Sequence, residues 1–218
     1  MKSKINILLF IAITSVLPAA SCDKNIDKVD TKDLPAPIKI SLRSSEIEMV
    51  KSDQNFAFEL FQNVFNEEAA NQDKNFMISP LSLSMALAMT WNGAEGDTKT
   101  AMQKTLKLDG YSDKEINEYY KKLREALLKT DPSTRLAMAN SIWTNQNVQI
   151  KNEFKNLNKE YFNSQVESVD FSKPETAGHI NKWAADNTNN IIDHVMDKTD
   201  PMDLMYLLNA LYFKGIWT

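Results

Sequence analysis

The residues able to do chemistry are sparse. His194 adjoins Asp193, His179 lies nearby in the chain, and serines are plentiful, so the types needed for a hydrolase are present. What is missing is an activated nucleophile. No Gly-x-Ser-x-Gly turn occurs, and no glycine-rich phosphate loop is present either. One Cys and two His cannot complete a four-ligand structural metal site. The expectation is a protein that is not an enzyme and takes no cofactor.

The more informative polar residues are those embedded in apolar runs. Residues 204–213 read Leu-Met-Tyr-Leu-Leu-Asn-Ala-Leu-Tyr-Phe, with Asn209 the one polar interruption. Residues 136–143 are apolar on both alternating faces apart from Asn140 and Ser141. Strands of this kind belong inside a sheet covered on both sides. A buried amide there needs hydrogen-bond partners, or costs about 1–3 kcal/mol. The hydroxyls of Ser79 and Ser82, at the start of an apolar helix, are the expected partners of Asn209.

These strands require helices to cover them. Apolar residues at Ala57, Leu60, Phe61, Val64 and Phe65 predict a helix from Asp53, as N-cap, to about Ala69. Residues 75–78 read as a short strand. Ser79-Pro80 then opens a helix apolar nearly all round, stopped by Asn92-Gly93. A third helix starts near Asp97. A fourth opens with a capping box, Ser112 with Glu115, and turns Ile116, Tyr120, Leu123 and Leu127 inward. A fifth spans 152–162. A sixth opens with a second capping box, Ser172 with Glu175, and buries Ala177, Ile180 and Ala184, with Trp183 at the border.

The first residues read as an address. Lys2 and Lys4 precede an apolar run over 7–13, then Ala19, Ala20, Ser21 and Cys22. This is the three-part pattern of a secretory signal and is too short for an anchor helix. The sole cysteine falls at the expected cleavage point, which resembles a bacterial lipoprotein signal with Cys22 lipidated. Residues 23–37 alternate charges of both signs and end in two prolines, as a solvated tether does. The expected organisation is a signal peptide over 1–21, a lipidated Cys and linker over 22–52, and a folded part over 53–218. The protein is expected to be exported, as a cell-surface or periplasm-facing lipoprotein or as a secreted, extracellular protein. Contact with a membrane would come only through the Cys22 lipid. The formal net charge of −4 argues against a nucleic-acid partner.

The chain resembles the serpin family, the serine protease inhibitors, over roughly 55–218. Asn75-Phe-Met-Ile-Ser-Pro-Leu-Ser-Leu-Ser-Met-Ala-Leu-Ala-Met-Thr-Trp-Asn-Gly-Ala-Glu-Gly-Asp-Thr98 is similar to the family's opening signature. Thr188-Asn-Asn-Ile-Ile-Asp193 resembles the end of the helix that crosses the large sheet. Leu207-Leu-Asn-Ala-Leu-Tyr-Phe-Lys-Gly-Ile-Trp217 resembles the sheet's third strand. The three occur in family order.

The resemblance implies an α+β fold, with several helices packed around a large mixed or antiparallel sheet, here the front half only. It also implies suicide-substrate inhibition of a serine or cysteine protease. A bait loop is cut, forms an acyl-enzyme and inserts into the sheet, the family being a standard instance of such switching. Ser79, Ser82 and Asn209 match the cluster where the sheet opens. Trp217 matches a residue near the start of insertion, and Thr98 closes the opening signature. All are expected to be conformational and none catalytic. The reactive loop is absent from this chain, and the fold is expected to be incomplete after Thr218. The competing expectation is a non-inhibitory surface-binding lipoprotein of the same fold, or an inactive truncated product.

Overall fold

A computed structural model describes residues 36–69 and 76–215. The signal, Cys22 and Trp217 lie outside the described residues.

The first helix, α1, spans Ser44–Val64 and passes into a π-helical turn at Phe65–Ala69. It starts well before the expected Asp53. Its first turn is fixed by Glu46, which accepts the Arg43 backbone N–H at 2.6 Å and the Lys122 ammonium at 2.5 Å. This anchor comes from a distant segment, so local periodicity did not reveal it. Asp53 therefore sits mid-helix and caps nothing. The expected strand at 75–78 is not formed: the described part, from Phe76, pairs with no strand. Phe76 instead stacks on Phe61 at 5.7 Å, and Met77 is 95% exposed.

Helix α2, Pro80–Trp91, begins as expected, with the Ser79 hydroxyl accepting the Ser82 N–H. Met85, Ala88, Met89 and Trp91 are buried. Helix α3 covers Gly96–Thr105, and α4 covers Asp113–Leu127. The α4 capping box is complete: Ser112 Oγ accepts the Glu115 N–H, and Glu115 accepts the Ser112 N–H at 2.8 Å. Strand β1 runs over Thr134–Asn145 and α5 over Asn152–Phe162. Asn163, at φ 51°, ends α5 in the left-handed region that asparagine tolerates. The chain enters β2, Ser164–Val169, at once. Only Val166 and Val169 are strongly apolar in β2, so the sequence reading passed over it.

Helix α6 spans Glu175–Asn187. Its inward face is as expected, with Ala177, Ile180, Trp183 and Ala184 buried. Its expected capping box is not formed, because Pro174 occupies the N-cap. Ser172 donates both its N–H and its hydroxyl to Asp170 Oδ1, at 3.0 and 2.6 Å. A nearer carboxylate thus holds Ser172 in a turn and removes it from the helix. Strand β3 completes the described chain at Met205–Gly215.

The sheet order is β2-β1-β3, with β1 parallel to β2 and antiparallel to β3. Asn140 stands opposite Asn209 and Ile142 opposite Leu207. The pleat sorts the side chains into two layers. Met138 of β1, with Leu136, Leu207 and Leu211, packs on Met85, Met89, Tyr120 and Phe162 from the helices. Trp143 and Ala210, with Tyr206 and Leu208, pack on Phe171 and on Ile180, Trp183 and Ala184 of α6. Cover on both faces explains why both strands are apolar on both faces. β1 is the central strand. β3, expected mid-sheet, is paired on one side only among the described residues, and Phe213 near its end is 63% exposed.

Candidate functional site

The two strand asparagines meet. Asn209 Nδ2 donates to Asn140 Oδ1 at 2.8 Å, and Asn140 Nδ2 donates to the carbonyl of Phe162 at 2.7 Å. A relay of amides therefore links β3 through β1 to the last residue of α5. Asn209 Nδ2 also lies 4.0 Å from the sulfur of Met85 on α2. Asn209 Oδ1 is buried with no partner. An amide oxygen left this way is costly in a settled core, and suits a strand whose surroundings change.

The expected bond between Asn209 and the serines of α2 is not formed. Ser79 Oγ and Ser82 Oγ bond to each other at 2.9 Å, at the exposed start of the helix. Their short side chains satisfy the helix terminus first, and Asn140 is nearer to Asn209 across the ladder. Thr98 lies on α3, where it lines a cavity with Asn92 and Phe154. The apolar runs 136–143 and 204–213 each carry one Asn, but only the register of β1 on β3 decides that the two meet.

Two further asparagines hold the segment that returns from α6 to β3. Asn181 Oδ1 accepts the N–H groups of Val195 and Met196 at 2.8 and 3.1 Å, while its Nδ2 donates to the Met196 carbonyl at 2.8 Å. Asn145 Nδ2 donates to the carbonyls of Pro201 and Asp203 at 2.9 and 3.0 Å. Sequence reasoning missed both, since neither stands out from the many asparagines around it. At the helix end, Thr188 Oγ1 donates to the Ala184 carbonyl at 2.8 Å and accepts the Ile192 N–H at 3.0 Å. Asn189 and Asn190 both take positive φ there, at 54° and 60°. His179 stands edge-on to Trp143 with ring centres 4.9 Å apart, and His194 faces Asp197 at 3.0 Å. The two histidines have different partners, and neither contacts a serine among these bonds.

Comparison with known proteins places the whole arrangement. Residues 51–218 match the family model described as Serpin (serine protease inhibitor). Chicken (Gallus gallus) neuroserpin is 36% identical over 163 residues, covering 73% of this chain and 40% of that protein. Rat (Rattus norvegicus) corticosteroid-binding globulin is 32% identical over 164 residues, covering 75% of this chain and 40% of that protein. Among solved structures, the thermophilic serpin tengpin in its latent state matches with a TM-score of 0.70 at 32% identity, over 83% of this chain and 46% of its own. A loop C-sheet serpin polymer matches with a TM-score of 0.71 at 32% identity, over 84% and 47%. The chain thus spans about two fifths of the length of those curated relatives. With the α+β architecture and the family match in agreement, this chain belongs to the serpin family.

Proposed function

We propose that this chain is the sheet-bearing front part of a protein that inhibits a serine or cysteine endopeptidase by inserting its own cleaved loop as a strand. The supporting observation is the position of β3. It is held to β1 by a full antiparallel ladder, its residues 206–211 pack on apolar side chains on both faces, and its other edge carries no strand among the described residues. An edge of this kind accepts an added strand through main-chain hydrogen bonds. The Asn140–Asn209 relay adjusts to the arrival, because the orphaned Asn209 oxygen is free to take a new donor. Ser79, Ser82, Thr98 and Trp217 act conformationally in this reading, and no residue of the chain is catalytic.

The test uses a protein of the relatives' full length that begins with this chain, incubated with trypsin, chymotrypsin, elastase, subtilisin and papain. The expected product is a complex with one of them that survives denaturing electrophoresis. Cleavage by every protease with no complex refutes inhibition. The 218-residue chain alone is expected to form no such complex.

A second reading is a recognition protein of the same fold without inhibitory activity. The relatives that favour it are the corticosteroid-binding globulins, whose name states a ligand and not a protease. Under either reading the protein is exported, and Cys22 carries a lipid that tethers it to a membrane. Incorporation of labelled palmitate, lost in Cys22→Ala, is the expected result. Among the described residues no helix is long and apolar enough to cross a membrane.

A further inference from the structure

A cavity of about 850 Å³ opens between the end of α2, α3, the first turn of α4, and α5 with the loop before it. It lies apart from the Asn140–Asn209 relay. Its volume falls within the range of about 300–1,000 Å³ that accommodates a drug-sized molecule. The apolar part of the wall includes two aromatic rings and is made by Met102, Ile150, Phe154, Leu157, Tyr161 and Met205, with polar and charged side chains completing the lining. Among those apolar residues, Phe154 is buried and the rest are half-buried.

Two features hold the cavity open. Asn92 and Asn117 exchange reciprocal amide bonds of 2.9 Å, which strut the end of α2 against α4. Asn117 also donates to the Asp113 carbonyl at 3.0 Å. Gly93 lies so close to the Phe154 ring that an added Cβ would meet it at 3.0 Å. One edge of the ring can therefore approach the chain closely where α2 ends.

Three lysines and four carboxylates stand at or beside the mouth. Lys99 pairs with Asp113 at 2.5 Å and stands 4.4 Å from the Trp91 ring centre. Lys151 pairs with Glu95 at 2.9 Å. Lys114 reaches Glu118 at 3.7 Å, and Glu153 supplies the remaining negative charge at the rim. An anionic ligand entering here would lose water and meet only lysines already paired with carboxylates, and a cationic one would meet only Glu153, which is exposed and keeps its water. An uncharged one meets apolar walls, two aromatic faces and the oxygens of the amide strut.

We propose that this cavity binds an uncharged, ring-bearing, mainly apolar small molecule, independently of any action on a protease. The test is titration of the full chain with N-phenyl-1-naphthylamine, an uncharged aromatic probe whose fluorescence rises out of water. 1-Anilinonaphthalene-8-sulfonate, a related frame bearing a negative charge, is the comparison. Saturation at one site per chain is expected, with the sulfonate at least about tenfold weaker. Leu157→Trp and Met102→Trp, which fill the cavity from opposite walls, are each expected to weaken the neutral probe by about tenfold or more. A readout that needs no substitution is methionine methyl NMR. The Met102 and Met205 signals are expected to move with the probe, while Met77 and Met202, at 95% and 86% exposure, stay fixed. A signal that never saturates, equal affinity for the sulfonate, or shifts at Met77 in place of Met102 and Met205 would overturn the proposal. So would unchanged binding in both folded tryptophan variants.

Discussion

Two carboxylates on α1, about two turns apart, have opposite titrations because different groups are buried with them. Burial opposes ionisation of Glu46, but hydrogen bonds from Lys122 and from the Arg43 backbone and side chain outweigh it, and its pKa falls to about 2 from an ordinary 4.5. A pKa lowered on folding stabilises the protein above the ordinary value and is lost as acid is added. Acid unfolding is therefore expected to steepen between pH 4.5 and about 2, and Glu46→Gln is expected to flatten that limb in a pH series of urea midpoints. Asp53 has no ion-pair partner among the described residues. Burial raises its pKa above 3.8, although hydrogen bonds from the hydroxyls of Tyr119 at 2.5 Å and Tyr120 at 3.1 Å work the other way. Stability from this carboxyl is present below 3.8 and declines as pH rises through the raised value. Asp53→Asn is expected to raise the urea midpoint at pH 8, with the advantage shrinking toward pH 4. An advantage independent of pH would contradict the assignment.

The strand asparagines can be separated in the same way. Asn140 serves the Phe162 carbonyl and the Asn209 amide, whereas Asn209 brings one orphaned oxygen with it. Asn140→Ala is expected to cost about 1–3 kcal/mol and Asn209→Ala less, as read from chemical denaturation. The reverse order would show that the relay does not bear on stability as described.

At the scale of the element, the chain contains one motif with two outcomes. Ser112 with Glu115 and Ser172 with Glu175 have the same spacing before a helix. The first forms its reciprocal bonds, and the second loses its serine to Asp170. Ser112→Ala is expected to cost about 1 kcal/mol, the usual value of a lost cap. Ser172→Ala should cost less, since only an exposed turn bond is lost, and thermal unfolding of the pair checks this. The contrast marks what could be read from the chain. Helices announced by their own residues, such as α2 with Ser79-Pro80, were legible. So were β1 and β3, from apolarity on both faces. The start of α1 was not, because Lys122 fixes it from far along the chain. Neither was β2, which owes its conformation to pairing with β1 more than to its own polar composition. Of the candidate site, Asn209 was legible as a buried amide, but its partner was not, because that choice depends on register.

Among the described residues, two features of the molecule favour association. Phe58, Phe61 and Phe65 near the end of α1 are 74%, 48% and 49% exposed, and β3 offers an unpaired edge among the described residues. Exposed aromatic clusters and open edges both promote association. The isolated chain is expected to self-associate with rising concentration in sedimentation velocity. Phe213→Lys, which places a charge on the open strand, is expected to shift that association to higher concentration. Unchanged behaviour would direct attention to the phenylalanines of α1.

The face-to-face asparagines of β1 and β3 also act as an alignment pin. A slip of one residue would swing Asn209 toward the tryptophan layer, out of reach of its mate, and strand Asn140 among methionines. If β3 is pried loose, it can reseat in one position without penalty, and every other seating is marked as wrong by two amides at once.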